Sequence, residues 1–175
     1  VAAASLAAAD RLHGPPAILA ARHGREGCLR VLHELGGEAA ASLAARGAIF
    51  GFSPAHEAAA NGHEGCLRVL HELGGEAAAS LAAVGANGYT PAHFAADKGQ
   101  EGCLRVLHEL GGNAAASLAA ADARGHKPAH GAAWQGHEGC LRVLHELGGE
   151  AAASLAAVTE DGDTPAHAAS QEGHE

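Results

Sequence analysis

The sequence contains no methionine, one tryptophan, one tyrosine and three phenylalanines, so aromatic residues make up only 3% of its 175 positions. A compact globular core would have few large side chains to build on. Lysine is scarce too: of the 11 basic residues, only Lys98 and Lys127 are lysines. Against 20 acidic residues the net charge is -9, and no basic stripe exists to neutralise phosphates, which excludes nucleic acid as a principal partner. No apolar run is long enough to cross a bilayer, so no membrane partner is expected. The glycines form no G-x-G-x-x-G motif after a strand, which leaves phosphate or dinucleotide binding unsupported.

What is present is repetition. The ten residues CLRVLHELGG occur four times unchanged, beginning at Cys28, Cys66, Cys103 and Cys140. A period of about 37 residues means one supersecondary unit, copied and stacked. Alanine supplies about a quarter of the chain; it favours helices but buries little area. The core must therefore come from recurring Leu, Val and Cys, layer upon layer. The opening VAAASLAAADRL lacks a basic leader and copies the internal segment from Glu38 to Ala45, so it reads as repeat material rather than a signal peptide.

The third copy displays one unit. Thr90 can cap a short helix from Pro91, whose missing N–H costs nothing at the first helical position, and Gly99 stops it. A second helix runs from Glu101 to Leu110. Cys103, Val106, Leu107 and Leu110 fall at i, i+3, i+4 and i+7, one apolar stripe. Arg105 and Glu109 lie off it at i, i+4 spacing and are expected to pair within the helix. Gly111-Gly112 ends this helix. The alanine-rich stretch from Asn113 to Ala120 predicts a short extra helix or one or two turns, held by Leu118.

Thr-Pro-Ala-His followed by Ala-Ala, Gly-His and a Leu/Val-rich second helix resembles the ankyrin repeat. The residues that carry the resemblance are Thr90-Pro91-Ala92-His93 with Ala95-Ala96 and Gly99, Thr164-Pro165-Ala166-His167 with Ala169 and Gly173-His174, and Ser53-Pro54-Ala55-His56 with Ala58-Ala59 and Gly62-His63. Lys127-Pro128-Ala129-His130 departs at the cap. Pro15-Pro16-Ala17-Ile18 departs most, with neither Thr nor His. The resemblance implies an all-α solenoid of about four to five stacked helix-turn-helix repeats, here with an extra short helical segment per repeat. It also implies a concave face of turns and first helices that binds other proteins, and cap histidines that hydrogen-bond the capping hydroxyl and nearby backbone. Two departures stand out. The period exceeds the family's 33, and Ala55, Ala92, Ala129 and Ala166 stand where the family carries Leu. Leu43, Leu81, Leu118 and Leu155 of the inserted segment are the expected replacements.

The whole chain, 1–175, reads as a single array, with a partial repeat at 1–9, repeats near 10–46, 47–84, 85–121 and 122–158, and a partial repeat at 159–175. Both ends lack a polar cap, which predicts a piece of a longer array and end-to-end self-association.

Identical copies place the information where the copies differ. Phe50, Phe52, Tyr89, Phe94 and Trp134 all lie in turns or first helices, and charge varies there too. Aromatic residues and Arg are the usual interface anchors. The candidate partner-binding set is Phe50, Phe52, Asn61, Asn87, Tyr89, Asp97, Lys98, Arg124, His126, Trp134, Gln135, Asp161 and Asp163. Phe94 shares this edge but is left out of the set, since it can also be core. The partner is an unidentified protein; an architectural spacer without a ligand, or the regulatory arm of an enzyme, are the alternatives.

Catalysis is not expected, because four equivalent cysteines leave no single activated nucleophile. His63-Glu64-Gly65-Cys66 lacks the second His of a zinc protease helix. His33, His71, His108 and His145 form a row one repeat apart, too widely spaced to chelate a metal. No metal and no cofactor are implied. Repeats stack about 10 Å apart, too far for disulfides between equivalent cysteines. Reduced thiols point to a cytoplasmic protein. Imidazoles charging below neutral pH predict lower stability at pH 5 than at pH 7.5.

Overall fold

A computed structural model describes residues 14–47 and 51–174. These residues are helical, with no β-strand among them. Five first helices, Pro16–Arg22, Pro54–Ala60, Pro91–Asp97, Pro128–Trp134 and Pro165–Glu172, pack in series. Four second helices, Glu26–Leu35, Glu64–Leu73, Glu101–Leu110 and Glu138–Leu147, form a parallel row beside them. Four short third helices follow, Gly37–Ala41, Gly75–Ala79, Gly112–Ala116 and Gly149–Ala153. The last three run on into a 3₁₀ turn at Ser80–Ala82, Ser117–Ala119 and Ser154–Ala156. This stacking is a helical solenoid with one continuous core along its axis.

The first helices are short because their sequence starts and stops them. Proline occupies the first position of each, and a glycine with positive φ follows one or two residues past the end. Their buried faces are alanines, with Ala92, Ala95 and Ala96 fully inaccessible. The second helices bury Leu104 as well as Cys103, Val106 and Leu107, while Leu110 is only partly covered. The buried arc is thus wider than the expected stripe, because the inner second helices, Glu64–Leu73 and Glu101–Leu110, each touch their own first helix, their own third helix and both neighbouring second helices.

Gly74 (φ 71°) and Gly75 (φ 49°) link the second helix to the third. Two consecutive left-handed residues reverse the chain without a loop, a conformation costing an L-residue about 1–2 kcal/mol per position. The Gly-Gly pair is therefore a hinge between helices as much as a stop.

The inserted segment is core. Leu43, Leu81 and Leu118 are 1–2% exposed. Ser117–Ala119 packs on Pro91–Asp97, the helix that carries Ala92, and Ser80–Ala82 packs on Pro54–Ala60. The turns that carry Leu81 and Leu118 thus pack on the first helix of their own unit. The serine before it ties the turn: Ser80 and Ser117 hydroxyls donate to the carbonyls of Ala77 and Ala114 at 2.6 Å.

The cap histidines join the units. The backbone N–H of Thr90 donates to His93 Nδ1 at 3.2 Å, so that ring nitrogen must accept. The proton then sits on Nε2, which donates to the His126 carbonyl at 3.1 Å in the next unit. His56 repeats this with Ser53 and the Tyr89 carbonyl at 3.0 Å for each bond, and His130 with Lys127 and the Asp163 carbonyl at 3.1 and 3.3 Å. Lys127 has no side-chain acceptor, so only the backbone half of the cap survives there. A second set of ties runs from His63 and His137 to the carbonyls of Arg22 and Asp97, at 3.0 and 3.1 Å, which satisfies the open end of the preceding first helix.

The repeated arginine pairs between units rather than within its helix. Arg30, Arg68 and Arg105 reach Glu72, Glu109 and Glu146 at 2.6–2.7 Å. Only Arg142 turns back to its own helix, to Glu138 at 3.1 Å. Such exposed pairs contribute about 0–1 kcal/mol each, so the leucines and histidines hold the stack.

Two outcomes follow from this packing. Leu118→Ala should cost about 2–5 kcal/mol by denaturant unfolding; a loss under 1 kcal/mol would show that the inserted turn is not core. Burial pushes His56 down to about 4, against the opposing pull of the Tyr89 carbonyl, and holds His93 and His130 below the ordinary range. Their stabilisation is complete above about pH 6.5 and is lost as pH falls toward 4. Asp97, raised to about 6 by burial, runs the other way: its contribution is present below pH 4 and lost as pH rises through 6. Three histidines outweigh one aspartate, so the melting temperature should be lower at pH 5 than at 7.5. The source is the buried cap histidines. Equal melting temperatures at the two pH values would contradict it.

Candidate functional site

Three positions per unit vary on one side of the solenoid. They are the residue before the cap (Phe52, Tyr89, His126, Asp163), the fourth residue of the first helix (Glu57, Phe94, Gly131, Ala168) and the seventh (Ala60, Asp97, Trp134, Gln171). The seventh position of one unit approaches the fourth of the next. Arg22 binds Glu57 through two bonds of 3.0 Å, a bidentate pair. Asp97 lies over Gly131 in the same relation: a Cβ built on Gly131 would stand 1.8 Å from Asp97 Oδ1. Part of the variation is therefore matched between neighbours.

Aromatic rings gather on this side. Phe52 and Phe94 meet edge to face with ring centres 4.7 Å apart, and Tyr89 meets Phe94 at 5.5 Å. Phe52 also stacks on the cap histidine His56 at 5.5 Å, and Tyr89 lies 5.1 Å from His93. Phe94, left out of the candidate set, is half-buried at the centre of this cluster. The sequence signal for it was present, since it shares a helix face with the varied positions.

Beyond the cluster lies a groove of about 340 Å³ across the first helices Pro91–Asp97, Pro128–Trp134 and Pro165–Glu172. Tyr89, Asp97, Arg124, His126, Trp134, Gln135 and Asp163 of the candidate set all line it. Gly131 and Ala168 line it too, and their missing bulk opens the space. Sequence reasoning missed both, because an absent side chain attracts no notice. Trp134 is 47% exposed. Asp97 makes no hydrogen bond or ion pair through its carboxylate among the described residues, and burial raises it to about 6, with Lys98 and His137 pulling it partly back. Burial and the charges of Asp97 and Asp122 push the Tyr89 phenol up.

The remaining candidates stand outside the groove. Asn61 and Lys98 are exposed at helix ends, Asn61 donating to the Glu57 carbonyl at 2.8 Å. Asn87 adopts a left-handed conformation (φ 61°), and its carbonyl accepts the Ala123 N–H of the next turn at 2.8 Å, which is a structural duty. Asp161 is exposed in its turn. Phe50 lies outside the described residues.

Other chemistry has less support. Burial drives the Cys66 thiol up to about 11 and those of Cys103 and Cys140 up to about 12, the reverse of an activated nucleophile. All four cysteines are free. No group of three potential metal ligands occurs among the described residues. No helix among them is long and apolar enough to cross a membrane. At one end of the row, Val31 and Leu35 are 51% and 48% exposed and Cys28 is exposed, while the equivalent Val69, Val106 and Val143 are buried.

A family model for ankyrin repeats in three copies matches residues 17–115. No curated protein matches the sequence. The matched span covers more than half of the chain, and its paired, serially packed helices with Pro-Ala-His caps agree with it; the chain belongs to the ankyrin-repeat family.

Proposed function

We propose that this protein is a binding scaffold that holds another protein on the side formed by its turns and first helices. Ankyrin repeats are in general modules of protein–protein interaction. The observation that supports this particular face is the convergence of seven varied residues, Tyr89, Asp97, Arg124, His126, Trp134, Gln135 and Asp163, on one groove while the rest of each unit is held constant. An aromatic anchor beside a cavity, rimmed by mixed charge, is the composition of an interface hot spot. The reading takes the array as one domain with no catalytic role, and its free thiols favour the cytoplasm.

The test is capture of partners from source lysate by the intact chain and by the double variant Tyr89→Ala, Trp134→Ala. Neither residue belongs to the buried stack, so the helical circular dichroism should be unchanged. A partner retained by the native chain and lost by the variant supports the face. A partner retained equally by both would place binding elsewhere.

A second reading, end-to-end association, is favoured by the exposed Val31, Leu35 and Cys28 at one end of the second-helix row. It expects concentration-dependent self-association in sedimentation, reduced by Val31→Glu. A monomer at all concentrations would remove it.

A further inference from the structure

From the groove lined by Tyr89, Asp97 and Trp134 we infer that the partner inserts a basic side chain, a lysine or an arginine, with its charge on the Asp97 carboxylate and its stem against the two aromatic rings. This rests on the proposed binding face and adds to it the chemistry of the residue that is recognised.

Asp97 is partly exposed and its carboxylate has no partner among the described residues; a carboxylate with reduced access to water gains from a cation or donors. The equivalent pair two units earlier shows the usual solution: Arg22 meets Glu57 with two bonds of 3.0 Å. At the corresponding place beside Asp97 the chain has Gly131, with no side chain to answer it, and the carboxylate oxygen occupies the space a Cβ would need. The neighbouring Lys98 is exposed and makes no ion pair with it. Among the described residues no side chain forms an ion pair with this carboxylate, although Arg124 and Lys127 line the same groove.

The walls select the shape of that counter-charge. Tyr89 and Trp134 line the same cavity as Asp97, and Trp134 is half open to solvent. Aromatic faces attract a cation, Trp most strongly, and gain when water is excluded. They also cover the methylene stem of lysine or arginine. A volume of about 340 Å³ is at the small end for a ligand pocket, enough for one long side chain.

Arg124 and Lys127 also line the groove, together with Asp163. They come from the turns, whereas Asp97, Trp134, Gln135 and Gln171 come from the helix ends. Arg124 is exposed, so water already solvates it and a ligand gains little by meeting it, while Lys127 shares the partial exposure of Asp97. The overall charge of -9 further favours a cationic partner segment. An acidic segment would have to bring its charge against Asp97.

Selection from a library of random dodecapeptides against the intact chain tests this, with affinities read from the fluorescence of Trp134, the single tryptophan. The expected result is a set of Trp134-dependent peptides sharing one lysine or arginine. Its replacement by glutamine should weaken binding at least tenfold on the native chain and have little further effect on Asp97→Asn. Asp97→Asn removes an unpaired charge, so its melting temperature should not fall. Gly131→Ala, which displaces the carboxylate, provides the second variant and should weaken the same peptides. Peptides that need Trp134 but carry no basic residue, or bind Asp97→Asn undiminished, would overturn the inference and leave the binding face standing. If no Trp134-dependent peptide is enriched, both fall.

Discussion

The histidine at the third position of the first helix connects every level of this molecule. One ring nitrogen accepts the backbone N–H of the cap residue and so fixes the start of its own helix. The other donates to a carbonyl in the turn of the next unit, 33 residues later. One neutral side chain thereby sets both local structure and stacking. It can do so only unprotonated at Nδ1, buried and next to a second copy of itself. Short helices of seven residues are marginal alone; in three of them the ring that caps the helix is also tied to the next unit.

Once this tie repeats, the rest of the fold is constrained. The turn must follow at a fixed distance, the first helices must approach closely, and alanine suits their contact faces. Close first helices leave less room for the large residue the family carries after proline. The leucine of the added third segment is buried in a turn that packs on that helix. The side chains free of these duties lie before the cap and at the fourth and seventh helix positions. There the units differ, and there an opening forms where two consecutive units carry Gly131 and Ala168.

Much of this was legible in the sequence. The unchanged CLRVLHELGG blocks mark the second helices, Pro-Ala-His marks the first, and the inserted alanines and leucine mark a third short helix that the structure contains. What escaped depended on neighbours. Leu104 looked off the apolar stripe because a single-helix pattern does not count the third helix and adjacent units that cover it. Arg105 and Glu109 looked like partners at helical spacing, yet a long side chain reaches across to the next unit as easily as along its own helix. The left-handed conformation of Asn87, with φ 61°, was not visible in the sequence. The groove was half legible: the residues that line it with bulk and charge were visible, and the glycine that makes room for Asp97 was not.

The account stands most directly on the protonation of the cap histidines, which nitrogen-15 spectra of the imidazoles read without mutation. At pH 7, His56, His93 and His130 should each show a protonated Nε2 and an unprotonated, hydrogen-bonded Nδ1, slow to exchange, and for His56 persisting well below pH 6. Rapidly averaging rings, or protons on Nδ1, would contradict it.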